Sequence, residues 1–126
     1  MHSSLLLVED NPNNRMLIHM VLKRFVQENI EVIDAEDGEV GLRLAFENQP
    51  SLILMDLKMP KMDGYEAIKK LKSDPATSAI PILVLSAQVL EEDTMRALEA
   101  GASGFISKPI NIPSFINKVK PFFENR

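Results

Sequence analysis

The stretch LILMDLKMPKMDG, residues 52–64, decides the fold of this 126-residue chain. It begins with four consecutive apolar residues, reaches Asp56, and ends at Asp63-Gly64, a turn sequence that leads into a helical pattern. An unbroken apolar run of strand length is typical of a parallel strand that helices cover on both faces. The stretch therefore predicts a buried strand whose carboxyl end carries an acidic side chain.

Strand-length segments occur on both sides of this run, with helical patterns between them. The five predicted strands are residues 5–8, 31–35, 52–55, 82–85 and 104–107, and the five predicted helices begin at residues 12, 38, 64, 90 and 112. This regular alternation predicts the α/β class, as a (βα)5 doubly wound parallel five-stranded sheet of flavodoxin-like strand order 2-1-3-4-5. We expect residues 1–126 to form one domain, with no output domain in this chain.

Capping residues mark the ends of several predicted helices. Asn11 caps the first helix with Pro12 in its first position, and Gly101 ends the fourth. Pro121 predicts that the fifth helix stops near Lys120, because proline cannot continue the backbone hydrogen bonding. The apolar stripe of the first helix is predicted from helical spacing to be Leu17, Met20, Val21 and Phe25.

Composition limits the functions open to the chain. Its net charge of −4 argues against a nucleic-acid-binding protein, which normally presents a basic face. The absence of cysteine excludes disulfides and thiolate metal sites. The apolar start is too short for a signal peptide, and no stretch is long enough to span a membrane, so we expect a cytoplasmic protein. Lys69, Lys70 and Lys72 of the third helix are interpreted as a solvated face.

Polar residues stand where four of the predicted strands end. Glu9 and Asp10 follow the first strand, Asp56 follows the third, Ser86 closes the fourth, and Lys108 follows the fifth. An acid after a strand is, taken alone, most often a turn or cap residue. In a sheet of this order, however, the first and third strands are neighbours, and ligands bind at the carboxyl ends beside them. Three carboxylates should therefore converge, with a hydroxyl and an amine on the flank.

Such a cluster favours phosphoryl chemistry with a divalent cation. Carboxylates a few ångströms apart repel one another, and Mg²⁺ relieves that repulsion because it prefers oxygen ligands. The cation also neutralises a phosphoryl group that approaches a carboxylate, which can then act as the nucleophile. Ser86 can donate a hydrogen bond to the phosphate, and Lys108 can pair with it as a point charge.

Four motifs carry a resemblance to a known family. They are LVEDN at 7–11, LMDLKMPKMDG at 54–64, LSA at 85–87 and SKP at 107–109. In this order and spacing they resemble the receiver (response-regulator) domain of two-component signalling, in its single-domain form, over nearly the whole chain. The resemblance implies that Asp56 is the phosphoacceptor. It also implies that Mg²⁺ is held by Glu9, Asp10, Asp56 and the backbone carbonyl of Lys58.

The same resemblance assigns switch and phosphate-binding roles to further residues. Ser86 matches the switch hydroxyl, Phe105 the switch aromatic, and Lys108 the lysine that pairs with the phosphoryl group. The Lys108–Pro109 bond matches one that is cis in the family. Two departures are present: Glu9 stands where aspartate is commonest, and Phe105 lacks the hydroxyl of the frequent tyrosine.

What the resemblance implies about function is a phosphorelay role. The domain would take a phosphoryl group from a histidine kinase or a histidine phosphotransfer protein and change its fourth helix, fifth strand and fifth helix to regulate a partner. It would catalyse only its own phosphotransfer and slow autodephosphorylation, without contacting nucleic acid directly or inserting into a membrane. Leu90 and Ile110 are expected to be exposed on that face, and the protein to be a monomer or a phosphorylation-dependent dimer.

Other functions of this fold class fit the sequence less well. A flavin- or dinucleotide-binding protein needs a glycine-rich phosphate cradle after the first strand, where this chain has Glu9-Asp10-Asn11-Pro12. A hydrolase that uses an aspartyl phosphate needs a second acid two residues after Asp56, where Lys58 stands. The remaining alternative is a receiver-fold interaction module that works without phosphorylation.

Overall fold

The computed structural model of the chain describes residues 3–57, 64–86 and 91–123. One five-stranded sheet contains β1 (Ser4–Val8), β2 (Glu31–Ala35), β3 (Leu52–Asp56), β4 (Ile82–Ser86) and β5 (Gly104–Ser107). The strands lie in the order β2-β1-β3-β4-β5, and every neighbouring pair is parallel. The predicted fold class and strand order are confirmed. The structure extends three of the strands by one residue, so that Asp56 is the last residue of β3.

Helices connect the strands as the capping residues predict. They are α1 (Pro12–Val21), α2 (Gly38–Asn48), α3 (Gly64–Ser73), α4 (Glu91–Ala100) and α5 (Ile112–Val119). The Asn11 side chain caps α1, and Gly101 takes a left-handed φ of 118° after α4. The fifth helix gives way to a 3-10 turn at Lys120–Phe122, as Pro121 predicts. Among the described residues, no helix is both long and apolar enough to cross a membrane.

The sheet separates two hydrophobic clusters. Consecutive side chains of β1 point to opposite faces, and all five residues of this strand are buried. Leu6 and Val8 pack in the first cluster with α2, α3 and α4, while Leu5 and Leu7 pack in the second with α1 and α5. Burial on both faces explains why the strands of the sheet centre are apolar without alternation.

The apolar stripe predicted for the first helix is partly wrong. Met20 and Phe25 are 44% and 45% exposed, and the fully buried residues of this segment are Ile18, Val21 and Leu22. Met20 lies within α1, on the side of the helix away from Ile18 and Leu22. For Phe25 the cause is a change of helix type, since the chain winds as a π-helix from Leu22 to Val26. Its wider turn rotates Phe25 away from the core position that α-helical spacing would give it.

One of the three lysines interpreted as a solvated face is not solvated. Lys72 is half-buried, and its Nζ donates to the carbonyl oxygens of Ser78 at 3.0 Å and Ile80 at 2.7 Å. Burial lowers the pKa of this amine. Lys72 thus fixes the turn between α3 and β4, whereas Lys69 and Lys70 are exposed as predicted.

A close approach of backbone to backbone positions the end of β3. A Cβ on Gly64 would lie 2.7 Å from the Cα of Leu57 and 2.8 Å from the carbonyl oxygen of Asp56. The Gly64 N–H also donates to the Leu57 carbonyl at 2.9 Å. Because only glycine fits this contact, the start of α3 can pack directly on the residues that follow β3.

Candidate functional site

A cavity of about 210 Å³ lies at the carboxyl ends of β1, β3 and β4. Its lining contains all five residues that the strand ends predict, together with three neighbours: Glu9, Asp10, Asn11, Asn14, Asp56, Leu57, Ser86 and Lys108. Backbone pairing continues past the strands here, because Glu9 donates to the Ala35 carbonyl and Lys108 to the Ser86 carbonyl. Backbone hydrogen bonds to neighbouring strands therefore fix the positions of Glu9 and Lys108 at the base of the cavity.

Three carboxylates meet in the cavity. Glu9, Asp10 and Asp56 each place one oxygen so that the three oxygens lie within 4.8 Å of one another. The Glu9 residue is fully buried and Asp56 is 4% exposed, whereas Asp10 is exposed. The cluster therefore has two acids fixed in the protein interior and one at the solvent side of the cavity.

Lys108 bridges the two buried acids. Its Nζ lies 2.9 Å from Asp56 Oδ2 and 3.2 Å from Glu9 Oε1. The Lys108 side chain is only 15% exposed, so the two ion pairs are shielded from solvent. The ammonium thus lies within hydrogen-bonding distance of both carboxylates at once.

The proximity of these groups shifts their pKa values. Burial, and then the neighbouring charge of Asp56, raise the pKa of Glu9 despite the hydrogen bond from the Asn11 N–H. Burial alone would lower the pKa of Lys108, but the hydrogen bond to Asp56 and the charges of Asp56 and Glu9 outweigh it and raise the pKa. Lys108 therefore stays protonated, and Glu9 resists ionisation more than an ordinary glutamate.

Helix α1 holds Glu9 through contacts that the sequence interpretation missed. The Asn11 N–H donates to Glu9 Oε2 at 3.2 Å, and Asn14 Nδ2 lies 3.5 Å from Glu9 Oε1. Arg15 Nη1 donates to the Glu9 carbonyl at 2.8 Å. The positions of Asn11, Asn14 and Arg15 could have indicated these contacts. All three closely follow the acidic pair, at the start of a helix, where the first N–H groups have no partner within the helix.

The remaining predicted site residues fall at different distances from the cavity. Ser86 lines it, and the Lys108–Pro109 peptide bond beside it is cis. Phe105 lies outside the cavity, half-buried on the edge strand β5 against the cluster formed with α2, α3 and α4. Lys58 lies outside the described residues, so its carbonyl stays a prediction.

The donor set of the cavity fits Mg²⁺. This ion takes hard oxygen ligands and commonly uses one or two carboxylates together with water and phosphate oxygens. The cluster supplies carboxylate oxygens alone, and Asp10 keeps one side open to solvent. Among the cavity-lining residues there is no histidine, so a site built for softer ions is not favoured.

Known proteins have sequences similar to that of this chain. The polar-differentiation response regulator DivK of Brucella anthropi is 35% identical over 122 residues, and the match covers 97% of both proteins. Histidine kinase P4 of Formosa agariphila is 39% identical over 124 residues, which are 98% of this chain but only 9% of the length of that kinase. The similar segment therefore occurs both as nearly a whole protein and as a small part of a large one.

A solved receiver structure resembles the fold of this chain. The receiver domain of the sensor histidine kinase PA1611 from Pseudomonas aeruginosa PAO1 was solved with a magnesium ion coordinated in its active site cleft. It matches with a TM-score of 0.85 and 29% identity, over 97% of this chain and 98% of that one. Residues 5–120 also match the family described as response regulator receiver domain. The chain therefore belongs to this family and is a receiver domain of two-component signalling.

Proposed function

We propose that the protein accepts a phosphoryl group on Asp56 in a Mg²⁺-dependent step and relays the change to a partner protein. The observation that carries this proposal is the position of the Asp56 carboxylate, 2.9 Å from the Lys108 ammonium and clustered with Glu9 and Asp10 in an open cavity. A histidine kinase or a histidine phosphotransfer protein would be the donor, as is general for receiver domains.

In the proposed reaction an oxygen of Asp56 attacks the phosphorus of a phosphohistidine. A bond between this oxygen and phosphorus forms, the nitrogen–phosphorus bond of the donor breaks, and the imidazole nitrogen keeps the electron pair. Lys108 offsets the charge that gathers on the phosphoryl oxygens, and the Ser86 hydroxyl donates to one of them. The product is an acyl phosphate, which water can cleave slowly to return the Asp56 carboxylate and release inorganic phosphate.

Glu9, Asp10 and Asp56 would hold the metal, with the Lys58 carbonyl as a further ligand outside the described residues. When bound, Mg²⁺ supplies a positive charge that lowers the repulsion between the phosphoryl oxygens and the three acids. The contacts from Asn11 and Asn14 keep the Glu9 carboxylate aimed into the cavity.

Adding Mg²⁺ is expected to raise the melting temperature of the protein near pH 7. An ion that binds only the native state at 100 times its Kd adds about 2.7 kcal/mol to the free energy of unfolding. The pKa of Glu9 is raised in the folded protein, so without metal the ionised carboxylate lowers the free energy of unfolding at pH values above that pKa. This loss of stability disappears as the pH falls through the pKa and Glu9 takes up a proton. The Mg²⁺ effect should therefore shrink on acidification, as thermal denaturation at several pH values will measure.

Two aspartate variants make the Mg²⁺ measurement specific to the site. Asp10→Asn should reduce the rise in melting temperature and should not destabilise the metal-free protein, because it removes one of three repelling charges. Asp34→Asn makes the same chemical change on β2, outside the cavity lining. Asp34 Oδ2 lies 2.9 Å from His19 Nε2, and this variant should keep the full Mg²⁺ response. An unchanged melting temperature of the intact protein with Mg²⁺ would contradict the site.

Phosphorylation is expected to alter the environment of Phe105 and α4. Ser86 and Ser107 are register partners across β4 and β5, and Phe105 lies two residues earlier on β5, so a movement of Ser86 toward the phosphoryl group is passed to this edge strand. NMR of the free and beryllofluoride-bound protein will test the route. Shift changes confined to the surroundings of Asp56, with Phe105 and α4 unaltered, would refute it.

The structure corrects one expectation about the proposed docking face, since Ile110 is not exposed. Ile110 is half-buried and packs against the cluster of α1 and α5, so it is not a free docking residue, and Leu90 lies outside the described residues. Met95 and Leu98 of α4 are 54% and 44% exposed and offer apolar surface on that helix instead. We propose that a cytoplasmic partner protein, or a second phosphorylated copy, contacts this side; a direct nucleic-acid contact is not part of the proposal.

A further inference from the structure

Lys118 contacts Phe105 in two independent ways. Lys118 belongs to α5, and its Nζ donates to the Phe105 carbonyl at 2.7 Å, on the strand that forms one edge of the sheet. The same Nζ lies 4.6 Å from the centroid of the Phe105 ring. The first contact fixes the ammonium to the backbone, and the second places it against the side chain.

The Phe105 ring has free volume beside it. A cavity of about 430 Å³ lies next to β5, and its lining includes Leu83, Phe105, Lys118, Pro121 and Phe122. Phe105 is half-buried, so its ring is neither locked in the core nor free in solvent. The cavity leaves space beside Phe105 on the α5 side, and a turn of the ring away from this side would end the contact with the Lys118 ammonium.

We propose that Lys118 is a positioning residue that holds Phe105 in the orientation of the unphosphorylated protein. The inference rests on the proposed function, in which Phe105 turns when Asp56 is phosphorylated. The hydrogen bond to the Phe105 carbonyl does not depend on the ring orientation, so the ammonium stays in place while the ring leaves. The ring contact is present in one state only, and it therefore stabilises that state selectively.

The direction of the change in affinity for a phosphoryl mimic distinguishes this role of Lys118 from a general electrostatic effect. Removal of a positive charge should weaken the binding of an anion to the protein as a whole. Removal of the contact that favours the resting orientation should instead strengthen the binding of a phosphoryl mimic, because less free energy is needed to turn Phe105. A contact of this kind at an exposed site is worth about a two- to fivefold change in affinity.

The test measures beryllofluoride affinity in the presence of Mg²⁺ for the full chain and its variants by calorimetric titration. Lys118→Met keeps the apolar stem and should tighten binding by about two- to fivefold. Lys118→Arg keeps the cation and should restore the original affinity. Lys120→Met removes the same charge from an exposed residue nearby and should not tighten binding.

A second set of variants tests whether the effect of Lys118 depends on the Phe105 ring. In Phe105→Leu protein, Lys118→Met should no longer tighten binding, since no ring is left to hold. Equal affinities of the intact protein and Lys118→Met, or tightening that persists in the Phe105→Leu background, would overturn the inference while leaving the phosphoacceptor assignment intact. Absence of beryllofluoride binding in every variant and in the intact protein would overturn the proposed function as well.

Discussion

Asp56→Asn protein is expected to take up no phosphoryl group from acetyl phosphate and Mg²⁺, whereas the intact protein becomes phosphorylated. The amide lacks the anionic oxygen that forms the acyl phosphate, so the loss should be complete. The variant should fold, because Lys108 keeps its partner Glu9 at 3.2 Å. Mass spectrometry of the treated proteins measures the result, and hydroxylamine should remove the group from the intact protein, as it does from acyl phosphates.

Asp34→Asn supplies the matched control for this prediction. Asp34 lies on β2 outside the cavity lining, so its replacement should leave phosphorylation unchanged. Phosphorylation of Asp56→Asn at the level of the intact protein would show that another residue is the acceptor. If the intact protein takes up no phosphoryl group under any condition, the better interpretation is that the chain is an interaction module that works without phosphorylation.

Phe115→Ala is expected to lower the free energy of unfolding by about 3–5 kcal/mol, the usual loss when a buried phenylalanine is cut back to alanine. Phe115 is fully buried in α5 and packs with α1 and the adjacent face of the sheet. Small domains are commonly stable by only about 5–15 kcal/mol, so this one change should remove a large part of the total. The midpoint of urea denaturation measures it.

An exposed phenylalanine provides the comparison. Phe25→Ala deletes the same atoms from a side chain that is 45% exposed, and it should cost far less than Phe115→Ala. Similar losses for both variants would contradict the position of α5 against the second cluster.

The sequence predicted most of the fold because its signals are local and agree with one another. Buried strands produce unbroken apolar runs, and Asn11, Gly101 and Pro121 mark helix ends through backbone chemistry that acts within a few residues. The error at Phe25 came from a π-helical turn, which depends on how the end of α1 meets the core. Similarly, the burial of Lys72 depends on a turn that brings Ser78 and Ile80 to its amine, which no helical spacing reveals.

The sequence predicted which residues form the cluster of acids, but it did not predict all of the contacts that the lysines make. The meeting of Glu9, Asp10 and Asp56 follows from strand order, because parallel strands bring their carboxyl ends to one edge. The bridging position of Lys108 between two acids, and the contact of Lys118 with Phe105, depend on side-chain reach across elements distant in sequence. Such contacts need coordinates, since many arrangements of a long lysine side chain suit the same backbone.

The ammonium of Lys108 lowers the negative charge of the pocket. The described lining carries three carboxylates and one ammonium, a formal charge of −2 when all are ionised. A single doubly charged cation brings this to zero, so an incoming phosphate dianion meets an electroneutral pocket. A sodium ion would leave the pocket with a formal charge of −1, and a trivalent ion would leave it with a charge of +1. The fixed charges of the pocket therefore match the charge of a divalent ion such as the proposed Mg²⁺.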